Sequence, residues 1–143
     1  MKRAEALRPL SREHLTALLC AKKLREAEEL EQASEAFLGF WRGDGQRHFR
    51  VEEEVLLPAW AAQAEVDRDG VMRMLGEHLE IRRQALRLAA GELTLEEARA
   101  LGTLLHDHVR FEERQLFPLV EEAMDANALS RLAAAIEEAE AAG

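Results

Sequence analysis

The sequence predicts an all-α protein, and three observations carry that expectation. Ala, Leu, Glu and Arg dominate the chain, whereas aromatic residues make up only 5% and Tyr is absent, a mixture that favours helices over strands. Apolar residues recur at helical spacing in four long segments and one short terminal one, with turn chemistry between them. Finally, HFRVEEEVLLP at 48–58 and HVRFEERQLFP at 108–118 repeat one pattern, and each is preceded by an isolated histidine, His14 and His78. Two helical hairpins with equivalent contents suggest a pseudo-symmetric four-helix bundle.

At 143 residues, with 48% hydrophobic and 33% charged side chains, the chain has the size and apolar content of one folded domain. That domain is expected to span 1–143, with a bundle core at about 10–124 and a C-terminal helix at about 127–141. A net charge of -9 would repel a phosphate backbone and an anionic lipid surface, so neither nucleic acid nor membrane is expected as a partner. Cys20 is the only cysteine, which excludes an intramolecular disulfide and a thiol-only metal site. No apolar segment follows the basic N-terminus, and the longest apolar stretch, 55–62, is interrupted by Pro58. A reducing cytoplasm is the expected setting, with no export signal and no membrane helix.

The elements follow in order. Ser11, ahead of Leu15, Leu18 and Leu19, reads as the N-cap of the first helix. Asp67-Arg68-Asp69-Gly70 reads as the turn before the third. Gly91 and the Thr94-Leu95-Glu96-Glu97 capping box end the third helix near 90 and start the fourth at 95. Asp125-Ala126-Asn127 precedes the Ala-rich terminal helix. Pro58 and Pro118 must each disturb the hydrogen bond to the residue four earlier, so both helices should kink or end there.

The first turn is ambiguous, because Gly43-Asp44-Gly45 is the obvious breaker. Residues facing each other across a hairpin are roughly equidistant from its turn. The midpoint of His78 and His108 is residue 93, inside the predicted loop, while that of His14 and His48 is residue 31. Phe37 and Trp41 are also in phase with His48 and Glu52. The turn is therefore expected within 29–34, with the second helix running from about Ser34 and bent at Gly43–Gly45.

At about 100° per residue, His48 and Glu52 share a helix face, as do His108 and Glu112. Those faces continue through Val55, Leu56 and Ala59 in one case and Leu101, Leu104, Leu105, Leu116 and Leu119 in the other, so both pairs point into the apolar seam. A buried carboxylate needs a cation or an ion pair. His78 follows Val71, Met74 and Leu75 at core spacing, with Arg82 one turn later as the ion-pair alternative. His14 borders the Leu15, Leu18, Leu19 stripe without being central to it, and His106 points to solvent. Glu53, Glu54 and Glu113 read as solvated surface, Cys20 as a small buried hydrophobe, and Phe37, Trp41 and Met74 as ordinary core.

These blocks, with LSREH at 10–14 and GEHLEIR around His78, resemble the hemerythrin-like, or HHE cation-binding, domains over most of residues 10–120. The resemblance implies an up-down-up-down four-helix bundle around a non-haem di-iron centre, two iron ions with an oxo or hydroxo bridge. It makes His14, His48, His78 and His108 terminal ligands and Glu52 and Glu112 bridging carboxylates, with zinc or manganese as alternative occupants. Oxygen carriers have a second histidine where this chain has Arg82, which cannot ligate. Four imidazoles, two bridging carboxylates and a bridging oxygen fill ten of twelve positions, leaving one open on each metal. Open positions on both metals suit reaction with, or sensing of, dioxygen, peroxide or nitric oxide rather than transport.

Small diatomic or peroxide ligands are thus the expected partners, with the chain a monomer or homodimer. Two rival readings are an iron-handling protein that repairs iron centres and an interaction bundle with a structural metal. No catalytic acid, base or nucleophile stands out apart from the six-residue cluster.

Overall fold

The computed structural model describes residues 2–143, and among them there is no strand. Helix α1, Arg8–Glu26, follows a 3-10 turn at Glu5–Leu7. Helix α2 spans 30–63, α3 is Arg68–Ala89, α4 spans 95–123 and α5 is Ala126–Ala142. Short loops join α1 to α4 into an antiparallel four-helix bundle. Helix α5 lies against the N-terminal turn and the second half of α2, burying Ala128, Leu132 and Ile136.

The start of α1 differs from expectation. Ser11 is not its N-cap; the helix begins three residues earlier with Pro9 in its first turn, where the missing N–H and fixed φ of proline cost little. The Ser11 hydroxyl instead donates to Glu113 Oε2 at 2.7 Å. The inward face of α1 also differs, because Leu15 and Leu19 are both 63% exposed while Leu10, His14, Ala17, Ala21 and Leu24 are buried. Small residues line this face because α4 approaches closely: a Cβ on Gly102 would stand 2.8 Å from the Ala21 carbonyl and 2.7 Å from Leu24 Cβ. Leu75 and Leu119 are likewise exposed rather than core, and Val71, Val55, Ala59 and Leu104 are only partly buried.

The turns hold more closely to expectation. Gly91 has φ 73°, the left-handed conformation that ends a helix and that glycine adopts without strain. Thr94 Oγ1 accepts from the Glu97 amide at 3.1 Å, and Glu97 Oε1 accepts from the Thr94 amide at 3.0 Å. Asp125 Oδ1 accepts from the Ala128 amide at 2.8 Å. The turn before α3 differs: it lies at 64–67, because Arg68, Asp69 and Gly70 already belong to the helix, and Asp67 precedes them without a side-chain capping bond. Residues 27–29 form the first turn, slightly earlier than the expected 29–34, so α2 starts at Leu30 rather than near Ser34. The Gly43 region is no break, but a single wide π turn, Trp41–Gly45, inside a continuous helix.

Neither proline ends its helix. A second π turn, Glu52–Leu56, precedes Pro58, and a third, Glu112–Leu116, precedes Pro118. The Leu57 amide donates to the Glu52 carbonyl and the Phe117 amide to the Glu112 carbonyl, each five residues back. Widening the ladder absorbs the bond that proline cannot make. It also corrects phase, since residues four apart drift by about 40° per step on a regular α-helix. His48, Glu52, Leu56 and Trp60 nonetheless all stay buried, as do His108, Glu112, Leu116 and Val120.

The interior has two apolar clusters. One gathers Phe37, Trp41, Ile81 and Leu105 toward the α1/α2 turn, and the other gathers Leu7, Leu56, Met74 and Phe117 toward α5. Between them lies a polar layer. Cys20 packs in the first cluster, where burial pushes its thiol up to about 12.

Candidate metal centre

The polar layer contains every buried charged or titratable side chain other than Cys20: His14, His48, Glu52, His78, His108 and Glu112, none more than 5% exposed. One histidine comes from each of α1 to α4, and each carboxylate follows the histidine of α2 or α4 by one turn. Despite its marginal phase in the sequence, His14 is as deep as the others. His106 is partly exposed and contacts only Asp107, as its phase predicted.

All four imidazoles point Nε2 inward. His48 Nε2 stands 3.1 Å from Glu52 Oε2, His78 Nε2 3.1 Å from Glu52 Oε1, His108 Nε2 3.1 Å from Glu112 Oε2, and His14 Nε2 2.8 Å from Glu112 Oε1. Each carboxylate thereby spans the gap between one histidine of the α1/α2 hairpin and one of the α3/α4 hairpin. Two donor sets result, His14, His48, Glu52, Glu112 and Glu52, His78, His108, Glu112, each with its ligand atoms within 4.8 Å of one another. Both carboxylates belong to both sets.

Only the contact of His14 Nε2 with Glu112 Oε1 is a good hydrogen bond; the other three are not. His48 Nε2, His78 Nε2, His108 Nε2, both Glu52 oxygens and Glu112 Oε2 are buried with no hydrogen-bond partner. Unpaired polar atoms in an apolar interior each cost free energy, and here they converge on one point. A cation between them would satisfy all of them, so the donor chemistry and the orphaned atoms fit a bound metal.

The outward nitrogens are held differently, each by a glutamate from a neighbouring helix. His14 Nδ1 meets Glu113 Oε2 at 2.5 Å, His48 Nδ1 meets Glu13 Oε1 at 2.8 Å, His78 Nδ1 meets Glu53 Oε2 at 2.6 Å, and His108 Nδ1 meets Glu77 Oε1 at 2.8 Å. A carboxylate at Nδ1 fixes the ring orientation and raises the donor strength of Nε2. Glu53 and Glu113 are therefore not the solvated surface that their phase suggested. Glu13 and Glu77 escaped the sequence reading altogether, although a signal existed: each directly precedes a cluster histidine, as Glu53 and Glu113 directly follow a cluster glutamate.

An arginine backs each of these outer glutamates. Arg82 reaches Glu53 through both Nη atoms at 2.7 and 3.1 Å, Arg73 Nε reaches Glu77 at 3.1 Å, Arg3 reaches Glu113 at 3.2 Å, and Arg47 reaches Glu13 at 3.5 Å. Arg82 thus faces Glu53 and is not an ion-pair partner of the inner carboxylates. Aromatic rings wall the layer: Phe49 stacks on His78 with centroids 3.8 Å apart, and Phe117 stacks on His14 at 5.2 Å.

Burial alone would depress the histidine pKa values, but the surrounding carboxylates win. His78 is lifted to about 11 by Glu112, Glu52 and Glu53, and His48 to about 9 by Glu52 and Glu13. His14 and His108 move in the same direction. For Glu112, burial works upward, yet His108 and the other inward partners hold the carboxyl well below its usual range.

A family model, the hemerythrin HHE cation binding domain, matches residues 5–120. The chain belongs to the hemerythrin family. The match begins before α1 and runs through the second conserved-spacing block to Val120, covering all six inner residues and the four glutamates behind them. No curated protein and no solved structure gives a match. This hemerythrin-family domain is a helical bundle with a buried His/Glu cluster able to hold metal, and none of its described helices is long and apolar enough to cross a membrane.

Proposed function

We propose that the protein is a non-haem di-iron protein whose His4Glu2 cluster senses or reacts with dioxygen, peroxide or nitric oxide. The observation that carries this reading is the sharing of Glu52 and Glu112 by two four-donor sets, the arrangement expected of two cations bridged by two carboxylates. Imidazole with carboxylate suits iron. With four protein donors to each position, room remains for a small exogenous ligand. Iron bound there would supply redox chemistry and open coordination positions.

The chain's own residues do the rest. Glu52 and Glu112 would donate to both positions, and Glu13, Glu53, Glu77 and Glu113 keep each Nε2 aimed inward. Phe49, Phe117 and the two apolar clusters exclude bulk water, which limits access to small ligands. Full burial of the donors counts against a delivery role, in which metal must pass to an acceptor.

Elemental analysis of protein purified without added metal tests the reading: the expected content is about two iron ions per chain, falling sharply in Glu52→Ala. After anaerobic iron loading, air should produce a near-ultraviolet charge-transfer band that shifts with azide or nitric oxide. Retained metal with no spectral response would favour the structural reading, and release of iron to an acceptor protein would favour iron handling.

A further inference from the structure

The large apolar side chains standing in solvent are not scattered. Four of the seven lie on α3: Met72 at 65% exposure, Leu75 at 41%, Leu79 at 69% and Leu86 at 74%. At about 100° per residue they fall in one sector roughly 60° wide, centred about a quarter turn round the helix from His78. A surface helix normally turns one apolar stripe to its core, and α3 already does so through Met74, Ile81, Ala85 and Leu88. The second stripe stands largely in solvent, with only Leu86 bordering a surface pocket beside Trp41, Gln46 and Arg50, and α3 is also packed less tightly than the α1/α4 pair.

We propose that this face joins two copies of the chain through an antiparallel α3–α3 contact with its twofold axis at Leu79. The stripe is complementary to itself when reversed. Turning a second α3 end for end about residue 79 sets Met72 against Leu86 and Leu79 against its own counterpart. In the same register Leu75 comes level with Arg83 of the other copy, and Gly76, which has no side chain, with Arg82. Asp69 in the first turn comes within two residues, about 3 Å of rise, of Arg87 in the last, a gap that the long arginine side chain covers, and Arg68 comes up to the C-terminal carbonyls near Ala90, where the helix dipole favours a cation.

The flanking charges suit this pairing. Neither Arg68 nor Asp69 has an ion-pair partner among the described residues, and Arg87 has only a loose contact with Glu97 at 3.6 Å. An isologous contact of this kind closes at two subunits. Four side chains with roughly 100 Å² of exposed apolar surface each, on both partners, give about 800 Å² in all, less than stable specific interfaces bury, so a weak, dissociable dimer is expected.

Sedimentation equilibrium of the full chain, from about 1 to about 200 µM, tests the proposal, with circular dichroism and metal content as fold controls. The wild type should move from monomer to dimer across that range. Leu79→Glu should remain monomeric with unchanged helicity and metal. Asp69→Arg should weaken the dimer about fivefold, and adding Arg87→Asp should restore it. In a Cys20→Ala background, Leu79→Cys should oxidise to a disulfide-linked dimer, because the two positions meet on the axis. A wild type that stays monomeric at the highest concentration overturns the proposal. So does a dimer that survives Leu79→Glu, or one dissolved instead by Leu15→Glu with Leu19→Glu on α1.

Discussion

The two hairpins contribute matching inner residues and matching outer glutamates, but the groups that hold those glutamates are unequal. On the α3/α4 side, Glu53 behind His78 is gripped by both Nη atoms of Arg82, and Glu77 behind His108 by Arg73. On the α1/α2 side, Glu113 behind His14 has Arg3 and Ser11, but Glu13 behind His48 has a long contact to Arg47 and the neighbouring Glu140 carboxyl, which burial and Glu13 lift to about 7. Arg47 is shared with Asp44 and Glu140. Duplication has preserved the atoms that face the centre, while the support behind them has diverged. His48 is the least firmly braced of the four.

The largest effect should come from breaking what the halves have in common. Glu112→Ala removes a donor from both sets, so metal affinity should fall by more than about a hundredfold at both positions together, read by competition with a chelator. Loss confined to one position would show that the carboxylate is not shared.

Next come the outer glutamates. Glu53→Ala should lower affinity by about 10- to 100-fold, and Glu13→Ala by less, because Glu13 is already weakly anchored. Stepwise metal titration of the two variants distinguishes the halves. Equal losses would mean that the arginine behind each glutamate is without influence.

The pH response should divide the halves as well. A histidine whose folded pKa is raised contributes stability in full below its unfolded value near 6.5, and that contribution is lost as pH rises through the folded value. In the metal-free chain, His48 should lose its proton near 9 and His78 near 11. Metal-free protein should therefore weaken toward urea between pH 7 and 11, with the imidazole resonance of His48 titrating first. Metal-loaded protein should be flatter over that range, and metal binding at neutral pH should release protons. The smallest change expected is in Arg82→Ala, a few-fold loss of affinity, against almost none in Arg47→Ala.

The duplicated blocks made most of the fold and all six inner residues legible in the sequence. His48, Glu52, His108 and Glu112 repeat at one spacing, and repetition separates a site from a chance surface pair. His14 is harder to place, because leucines ordinarily mark the inward side of a helix and here Leu15 and Leu19 point elsewhere. The close approach of α4 at Gly102 makes small residues the proper filling there, and Leu15 and Leu19 are left outside. The outer glutamates were hidden for a different reason. Their carbons sit at the edge of the buried face, and only the length of the side chain brings the carboxylate to a neighbouring helix, which residue phase alone does not reveal. The prolines misled in the same way, since a local rule predicted disruption and the helices absorbed it in a wider turn.

Each of those wide turns amounts to one residue more than a regular helix would need. Deleting a single residue within 53–56 would therefore leave a more ordinary helix with Trp60 still turned inward, because eleven residues at about 100° each return to within about 20° of the face that carries His48. The irregular stretch acts as a gear between two lengths of rod, letting the liganding half and the proline half each keep its own rotational setting.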